Sequence, residues 1–205
     1  MRIKVCGLTS NPNIREVSAL KPDYMGFICC KSSPRDVSNS IDILNFDLLS
    51  EGTKKVAVFV NEDAEIIKRI VDKYSFDYVQ LHGDESPEFC FQLKAIAGIV
   101  KAFRIGDQLP ENLNEYKDCC DFFLFDSAGK HYGGNGFAFN HSVLDGYAGQ
   151  TPFFLSGGIA PTDFGYLNSI INPLYHGVDI NSQFETTPGI KDVTKIRNFI
   201  NNLNK

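Results

Sequence analysis

The sequence has no cluster of basic residues, no long apolar run and no CxxC pair, and each absence excludes a class of protein. Lysine and arginine are scattered and the net charge is −5, which argues against a nucleic-acid or anionic-membrane surface as partner. No apolar run approaches the length of a membrane span, and residues 1–7 show no apolar signal region. We therefore expect no nucleic-acid and no membrane partner.

The six cysteines lack the spacing of a disulfide framework or a zinc site. Two adjacent pairs occur, Cys29-Cys30 and Cys119-Cys120, beside apolar segments that are predicted to be buried. Disulfide scaffolds and structural zinc sites usually show other spacings. We expect a soluble cytoplasmic protein with reduced cysteines and no bound metal.

Short apolar segments recur along the whole chain. They are rich in β-branched and aromatic residues, as parallel strands that are buried on both faces usually are. The predicted strands are residues 3–6, 24–28, 56–60, 78–81, 99–103, 122–125, 153–155 and 176–180.

Helical patterns lie between most of these strands. The polar residues 61–63 precede an amphipathic stripe, Ser86 and Pro87 have the pattern of an N-cap and a first helical position, and Asp192 precedes a terminal amphipathic helix. The signal is weak after the fifth and sixth strands, and residues 107–117 predict only a turn or two of helix.

The alternation of strand and helix predicts an α/β protein with a parallel sheet and right-handed crossovers. Eight strands in 205 residues fit a compact (βα)8 TIM barrel, with residues 1–205 as a single domain. The alternative, an open doubly wound sheet, predicts a GxGxxG turn after the first strand. The chain has Cys6-Gly7-Leu8-Thr9 there, so we favour the barrel.

Two reactive residues fall at predicted strand ends, where barrels carry their chemistry. Cys6 ends the first strand, and it is either a small buried hydrophobe or a base whose pKa is lowered by nearby backbone N–H groups. Asp126 ends the sixth strand after an aromatic run. It either caps the following loop or acts as a general acid whose pKa is raised by desolvation.

Four further side chains are candidates for binding a ligand. Arg35 follows the second strand, and its planar fork suits a carboxylate or a phosphate. Gln80 and His82 share one face of the fourth strand, so they either face the ligand or hold the next turn. Asp179 ends the eighth strand, where it either accepts a sugar hydroxyl or caps the turn that contains Ser182.

Two strand-to-helix turns near the end of the chain indicate a phosphate site. The first contains Gly157 and Gly158, before a helix that Pro161 and Asp163 are predicted to open, and the second spans residues 177–183. Glycine allows close backbone approach, and free N–H groups at a helix start suit a phosphate. Barrels place such a site in their last two units, although a Gly-Gly pair also occurs in simple tight turns.

Short motifs occur in a characteristic order along the chain. They are Lys4-Val5-Cys6-Gly7-Leu8-Thr9, Ser33-Pro34-Arg35, Gln80-Leu81-His82-Gly83, Leu124-Phe125-Asp126, Gly133-Gly134-Asn135-Gly136, Ser156-Gly157-Gly158-Ile159, Val178-Asp179 and Pro188-Gly189-Ile190-Lys191-Asp192. Together they resemble the phosphoribosylanthranilate isomerases, the (βα)8-barrel isomerases of tryptophan biosynthesis. The resemblance covers essentially the whole chain.

The resemblance implies a small phosphorylated substrate, N-(5-phosphoribosyl)anthranilate. It implies an Amadori rearrangement to 1-(2-carboxyphenylamino)-1-deoxyribulose 5-phosphate, without a metal or redox cofactor, in a protein that is a monomer or a homodimer. By the same resemblance, Cys6 matches the general base, Asp126 the general acid, Arg35 the anthranilate-carboxylate ligand, and Gly157-Gly158 and Asn181-Ser182 the phosphate grip.

The chain departs from the family pattern at two places. Asn181-Ser182-Gln183 stands where the family has Ser-Ser-Gly, which removes a glycine from the phosphate turn but keeps two donors. Gly133-Gly134-Asn135-Gly136 is a milder change in a glycine-rich loop after Asp126. That loop also contains Lys130, and we predict that it acts as a lid.

Three other functions compete with this prediction. A lyase of the indole-glycerol phosphate synthase type needs a lysine acid, for which Lys101 is the candidate. A barrel that isomerises a phosphoribosyl-formimino imidazole would carry an aspartate at the position of Cys6. A non-catalytic phosphate-binding barrel would bind its ligand regardless of Cys6→Ala and show no turnover.

Overall fold

The computed structural model describes residues 1–127 and 142–203. Eight parallel strands pair in sequence order, and β8 pairs with β1 to close a barrel. This arrangement confirms the (βα)8 prediction and excludes the open sheet. The strands are β1 Arg2–Cys6, β2 Tyr24–Ile28, β3 Lys54–Phe59, β4 Tyr78–Leu81, β5 Gly98–Ile105, β6 Phe122–Ser127, β7 Phe153–Ser156 and β8 Tyr175–Ile180.

Six of the eight strands differ from their predicted bounds by one or two residues at an end, and β3 and β5 are examples. β3 begins at Lys54 rather than at residue 56, because Lys54 and Lys55 pair in register with Tyr24 and Met25 of β2. β5 continues to Ile105 because it stays paired with β6, where Arg104 is in register with Asp126. Polar residues that the apolar pattern left outside the strands therefore belong to them.

The helices outside the barrel begin largely where the sequence predicts. Asp63 caps the N-terminus of one helix, Ser86 caps the next, and Asp192 accepts hydrogen bonds from the first turn of the last helix. These caps satisfy N–H groups that have no partner within the helix. The helices are α1 Asn11–Ser18, α2 Ala64–Tyr74, α3 Pro87–Leu93, α4 Ser142–Asp145, α5 Phe164–Leu167 and α6 Val193–Leu203.

Some crossovers contain only short helical turns. Residues 107–117 form a 3₁₀ segment, Glu111–Tyr116, as the weak signal predicts. The helix expected to open at Pro161 and Asp163 begins only at Phe164 and is four residues long. Asp163, one of the two residues that signalled its start, is the N-cap residue. That this helix N-terminus faces the ligand stays a prediction.

The barrel interior is filled in layers. Four aromatic rings from the starts of alternate strands, Tyr24, Tyr78, Phe122 and His176, contact one another at 4.5–5.9 Å between ring centroids. Such layers from alternate strands are typical of this fold. They fill the N-terminal end of the barrel, so the ligand space lies at the opposite end.

A second apolar layer lies between the strands and the surrounding helices. Successive strand residues face the two layers alternately, because side chains alternate across a strand. Within the described residues, no helix combines the length and the apolar character needed to cross a bilayer.

Candidate active site

A cavity of about 320 Å³ opens at the C-terminal ends of the barrel strands. Its lining contains every predicted site residue except Arg35, which lies beside it. The predicted residues in the lining are Cys6, Gln80, His82, Asp126, Gly157, Gly158, Asp179, Asn181 and Ser182. Residues from five strands and their following turns are therefore brought to one site.

Cys6 occupies the floor of this site at the end of β1, with only 3% of its surface exposed. Gly26 is its register partner on β2, and a Cβ atom at Gly26 would lie 2.7 Å from the Cys6 Sγ. The glycine therefore provides the room that the thiol occupies. Burial raises the pKa of Cys6, and the ammonium groups of Lys4 and Lys191 oppose that rise only in part. The lowered Cys6 pKa that the sequence analysis considered is therefore not found in the protein without a ligand.

A buried ion pair lies beneath the thiol. The Lys4 Nζ donates to the Asp179 Oδ2 at 3.0 Å, and the two side chains are 1% and 5% exposed. Burial lowers the pKa of Lys4, but Asp179 and Cys6 outweigh it, so the pKa is raised and Lys4 is an ammonium. Burial raises the pKa of Asp179 against the influence of Lys4.

Sequence reasoning overlooked the buried position of Lys4. A signal was present, because Lys4 stands two residues before Cys6 in an apolar strand and so shares its face. A charged residue inside a barrel strand needs a partner, since an unpaired buried charge is very unfavourable.

Gln80, His82 and Asp126 form a hydrogen-bonded chain along one side of the cavity. The Gln80 Nε2 lies 2.9 Å from the His82 Nδ1, and the His82 Nε2 lies 3.2 Å from the Asp126 Oδ2. An amide nitrogen donates, so this network assigns the imidazole proton to Nε2, from which it is donated to Asp126. The shared face of Gln80 and His82 is confirmed. Asp126 is 28% exposed, so it is less buried than its aromatic run predicts.

Two oxygen atoms of the lining have no hydrogen-bond partner among the described residues. They are the Gln80 Oε1 and the Asp179 Oδ1, and both are buried. Leaving a buried acceptor unsatisfied typically costs about 1–3 kcal/mol. Hydroxyl groups of a ligand in the cavity would remove this cost.

Arg35 is held in place by a carboxylate of the protein itself. Its Nε and Nη2 donate to the two oxygens of Glu185 at 2.8 and 2.6 Å. Glu185 also accepts from the Lys191 Nζ at 2.6 Å and from the Gly189 N–H at 3.1 Å. Burial raises the pKa of Glu185, but the hydrogen bonds from Arg35 and Lys191 outweigh it and leave the pKa below its usual range. Sequence reasoning missed Glu185 and Lys191.

The two predicted phosphate turns differ in structure. Gly157 and Gly158 have φ values of +90° and +60°, a backbone conformation that favours glycine. After β8, a 3₁₀ segment, Ser182–Phe184, replaces a regular helix, and the Asn181 side chain accepts a hydrogen bond from Lys191 at 2.6 Å. Asn181, which stands where the family has serine, is therefore held by a hydrogen bond from Lys191.

Two lysines, Lys130 and Lys101, were also functional candidates in the sequence. Lys130 and the loop Gly133-Gly134-Asn135-Gly136 lie outside the described residues, so the lid stays a prediction. Lys101, the lyase candidate, is 2% exposed and donates to the carbonyl of Gly83 at 2.7 Å and to Glu85 at 3.2 Å. It does not line the cavity that contains Cys6, which argues against a catalytic function for Lys101.

Comparison with known proteins agrees with this geometry. The family model for N-(5'phosphoribosyl)anthranilate (PRA) isomerase matches residues 3–202. The chain belongs to the PRA isomerase family. A PRA isomerase from Parabacteroides distasonis is 43% identical over 203 residues, which cover 98% of this chain and 92% of that one. The resemblance inferred from the motifs is thereby confirmed.

Solved structures of PRA isomerases share the whole fold. The enzyme from Thermotoga maritima is 28% identical with a TM-score of 0.82, and the match covers 100% of this chain and 98% of that one. A PRA isomerase in complex with reduced 1-(o-carboxyphenylamino)-1-deoxyribulose 5-phosphate is 26% identical, again with a TM-score of 0.82 and the same coverage.

Proposed function

We propose that this chain isomerises N-(5-phosphoribosyl)anthranilate to 1-(2-carboxyphenylamino)-1-deoxyribulose 5-phosphate, with Asp126 as general acid and Cys6 as general base. The observation that carries the proposal is that both residues line one cavity with the two phosphate turns. An Amadori rearrangement requires a proton for the sugar-ring oxygen and the removal of a proton from C2. A site that holds an acid and a base around one substrate supplies both transfers.

Asp126 is suited to donate the first proton. When the His82 N–H donates to Oδ2, the acidic proton resides on the other carboxyl oxygen, from which it is transferred to the furanose ring oxygen. Ring opening then leaves an Asp126 carboxylate, and the same N–H stabilises its charge. Gln80 fixes the orientation of the imidazole, so we assign Gln80 and His82 as positioning residues for the acid.

Cys6 is suited to the second proton transfer, the removal of the proton from C2. The opened substrate is a protonated Schiff base, whose positive charge makes the C2 proton acidic. A Cys6 thiolate removes this proton, and the electrons of the C2–H bond form the enaminol C1=C2 bond. The Lys4 ammonium favours the thiolate. Proton return from the Cys6 thiol to C1, with loss of the C2 hydroxyl proton to the Asp126 carboxylate, completes the ketone product and restores both catalytic groups.

Arg35 is the residue we assign to the anthranilate carboxylate. Glu185 engages its Nε and Nη2, which fixes the plane of the guanidinium, and we assign Nη1 to the substrate carboxylate. A planar fork is specific for a carboxylate only when its orientation is held. In this proposal Glu185 and Lys191 position the binding residue and do not touch the substrate.

The remaining residues bind the ribose phosphate. We assign the phosphate to the Gly157-Gly158 turn and to Asn181 and Ser182, since backbone N–H groups and side-chain donors suit its oxygens. The unpaired oxygens of Gln80 and Asp179 accept sugar hydroxyls. Phosphate binding at a distance from the reacting bonds helps to hold C1 and C2 between the acid and the base.

Turnover of freshly prepared phosphoribosylanthranilate, followed by loss of anthranilate-type fluorescence, tests the proposal. We expect Cys6→Ser and Asp126→Asn each to lower kcat by about 10²–10⁴-fold. The matched controls, Cys30→Ser and Asp118→Asn, alter residues outside the cavity and should retain wild-type turnover.

Wild-type turnover that survived in Cys6→Ser or Asp126→Asn would refute the assigned pair. Phosphate-dependent binding without wild-type turnover would instead favour the non-catalytic barrel. A relative from Thermotoga maritima is described as dimeric, and we propose a monomer or a homodimer for this chain, which sedimentation equilibrium distinguishes.

A further inference from the structure

Three buried thiols converge outside the catalytic cavity. The Sγ atoms of Cys90, Cys119 and Cys120 all lie within 4.8 Å of one another, and the residues are 0%, 3% and 5% exposed. Cys90 belongs to α3, and the other two directly precede β6. None of the three lines the cavity that contains Cys6.

The convergence comes from the local backbone. Neighbouring side chains of an extended strand point in opposite directions, so two adjacent cysteines do not normally face one partner. Here the N–H groups of Cys119 and Cys120 both donate to the carbonyl of Tyr116, at 3.2 and 3.1 Å. This tight turn after the 3₁₀ segment sets the two Sγ atoms 3.8 Å apart and directs both toward Cys90.

The other adjacent pair shows that sequence adjacency alone does not produce such a cluster. Cys29 is buried, whereas Cys30 is partly exposed and its Sγ lies 3.2 Å from the Ser32 hydroxyl. The pair therefore provides an internal comparison for the three-thiol arrangement.

We propose that Cys90, Cys119 and Cys120 form a binding site for a soft, thiophilic metal ion of the Zn²⁺, Cd²⁺ or Cu⁺ class. Thiolate sulfur selects such ions. With Zn–S bonds of about 2.3 Å, tetrahedral coordination places sulfur atoms about 3.8 Å apart. The Cys119–Cys120 separation has this value, and small side-chain rotations would bring Cys90 to the same distance.

Binding is coupled to proton release. The ion displaces the thiol protons to water and forms one metal–sulfur bond for each thiolate, so its affinity rises with pH. A water molecule or an external thiol completes four-coordination.

Cadmium titration of the full-length protein tests the site through the ultraviolet charge-transfer absorption of cadmium thiolates. We expect the wild-type protein to bind one equivalent of Cd²⁺ tightly. Cys90→Ala, Cys119→Ala and Cys120→Ala should each weaken Cd²⁺ binding at least tenfold. Removing a residue that only supports a metal ligand typically costs about tenfold or more in metal affinity, and these variants remove a ligand itself. The control, Cys29→Ala combined with Cys30→Ala, removes two thiols and should keep the tight equivalent.

A second measurement uses wild-type protein and so does not depend on the folding of the variants. Alkylation in urea below the unfolding midpoint, followed by peptide mass spectrometry, should show that Cd²⁺ protects these three cysteines and leaves Cys29 and Cys30 reactive. Equal affinity in the cluster variants, or protection centred on other cysteines, would overturn the proposal. Neither readout depends on turnover.

Discussion

Replacing Lys4 with methionine removes the ammonium that faces both Asp179 and Cys6. Methionine is unbranched and uncharged, so the change leaves the Asp179 carboxylate, 5% exposed, without its ion-pair partner. Removing one partner of a buried pair costs about 3–5 kcal/mol, a large part of a typical stability of about 5–15 kcal/mol. We expect urea denaturation at pH 7 to show a loss of this size.

The stability loss should depend on pH in a defined direction. Burial raises the pKa of Asp179, and Lys4 is the largest opposing influence, so Lys4→Met raises that pKa further. A carboxyl group whose pKa is higher in the folded state binds protons more tightly there, so stability falls as pH rises from the unfolded value of about 3.9 through the folded value. The penalty should be small near pH 4 and largest near neutrality.

The same variant should also weaken the proposed base. Lys4 is the largest influence that lowers the Cys6 pKa, ahead of Lys191. We therefore expect Lys4→Met to raise the Cys6 pKa and to reduce the thiolate fraction at pH 7. The fluorescence assay should show kcat/KM lowered at pH 7 and partly recovered at higher pH.

Lys54→Met is the matched control. Lys54 pairs with Asp77 at the same 3.0 Å as Lys4 with Asp179, but the side chains are 51% and 29% exposed. Exposed pairs contribute about 0–1 kcal/mol, and this one lies far from the thiol. An equal loss of stability in both variants would refute the buried-charge reasoning. An unchanged pH profile in Lys4→Met would refute its link to Cys6.

Three further changes test other parts of the barrel. Arg35→Lys keeps the charge but loses the fork held by Glu185, so steady-state kinetics should show KM raised about 10–100-fold, as a lost charged hydrogen bond implies. Gly26→Ala places a methyl group 2.7 Å from the Cys6 Sγ and should lower kcat about 10²-fold while circular dichroism stays native. Burial lowers the pKa of His176, so stability should fall as pH drops below 6.5, and urea melts of His176→Phe should lose this dependence.

Local signals predicted the helix starts well. Ser86 and Asp192 cap their helices through contacts within three residues, so the information is present in the adjacent sequence. The start of β3 was not predictable in this way, because Lys54 joins the strand by pairing with Tyr24 on the preceding βα unit. The helix expected at Pro161 and Asp163 begins directly after Asp163, but its length of only four residues was not predictable from that start signal.

The sequence by itself determined the barrel and the main reactive residues, because strand periodicity and position at a strand end are local properties. Cys6 and Asp126 were identified on that basis, and both line the cavity. Only the tertiary structure decided their partners. Lys4 meets Asp179 across 175 positions and Arg35 meets Glu185 across 150, contacts that depend on barrel closure and strand register. Charge pairing over such separations leaves no periodic trace in the chain, so the electrostatics of the site became visible only in the folded structure.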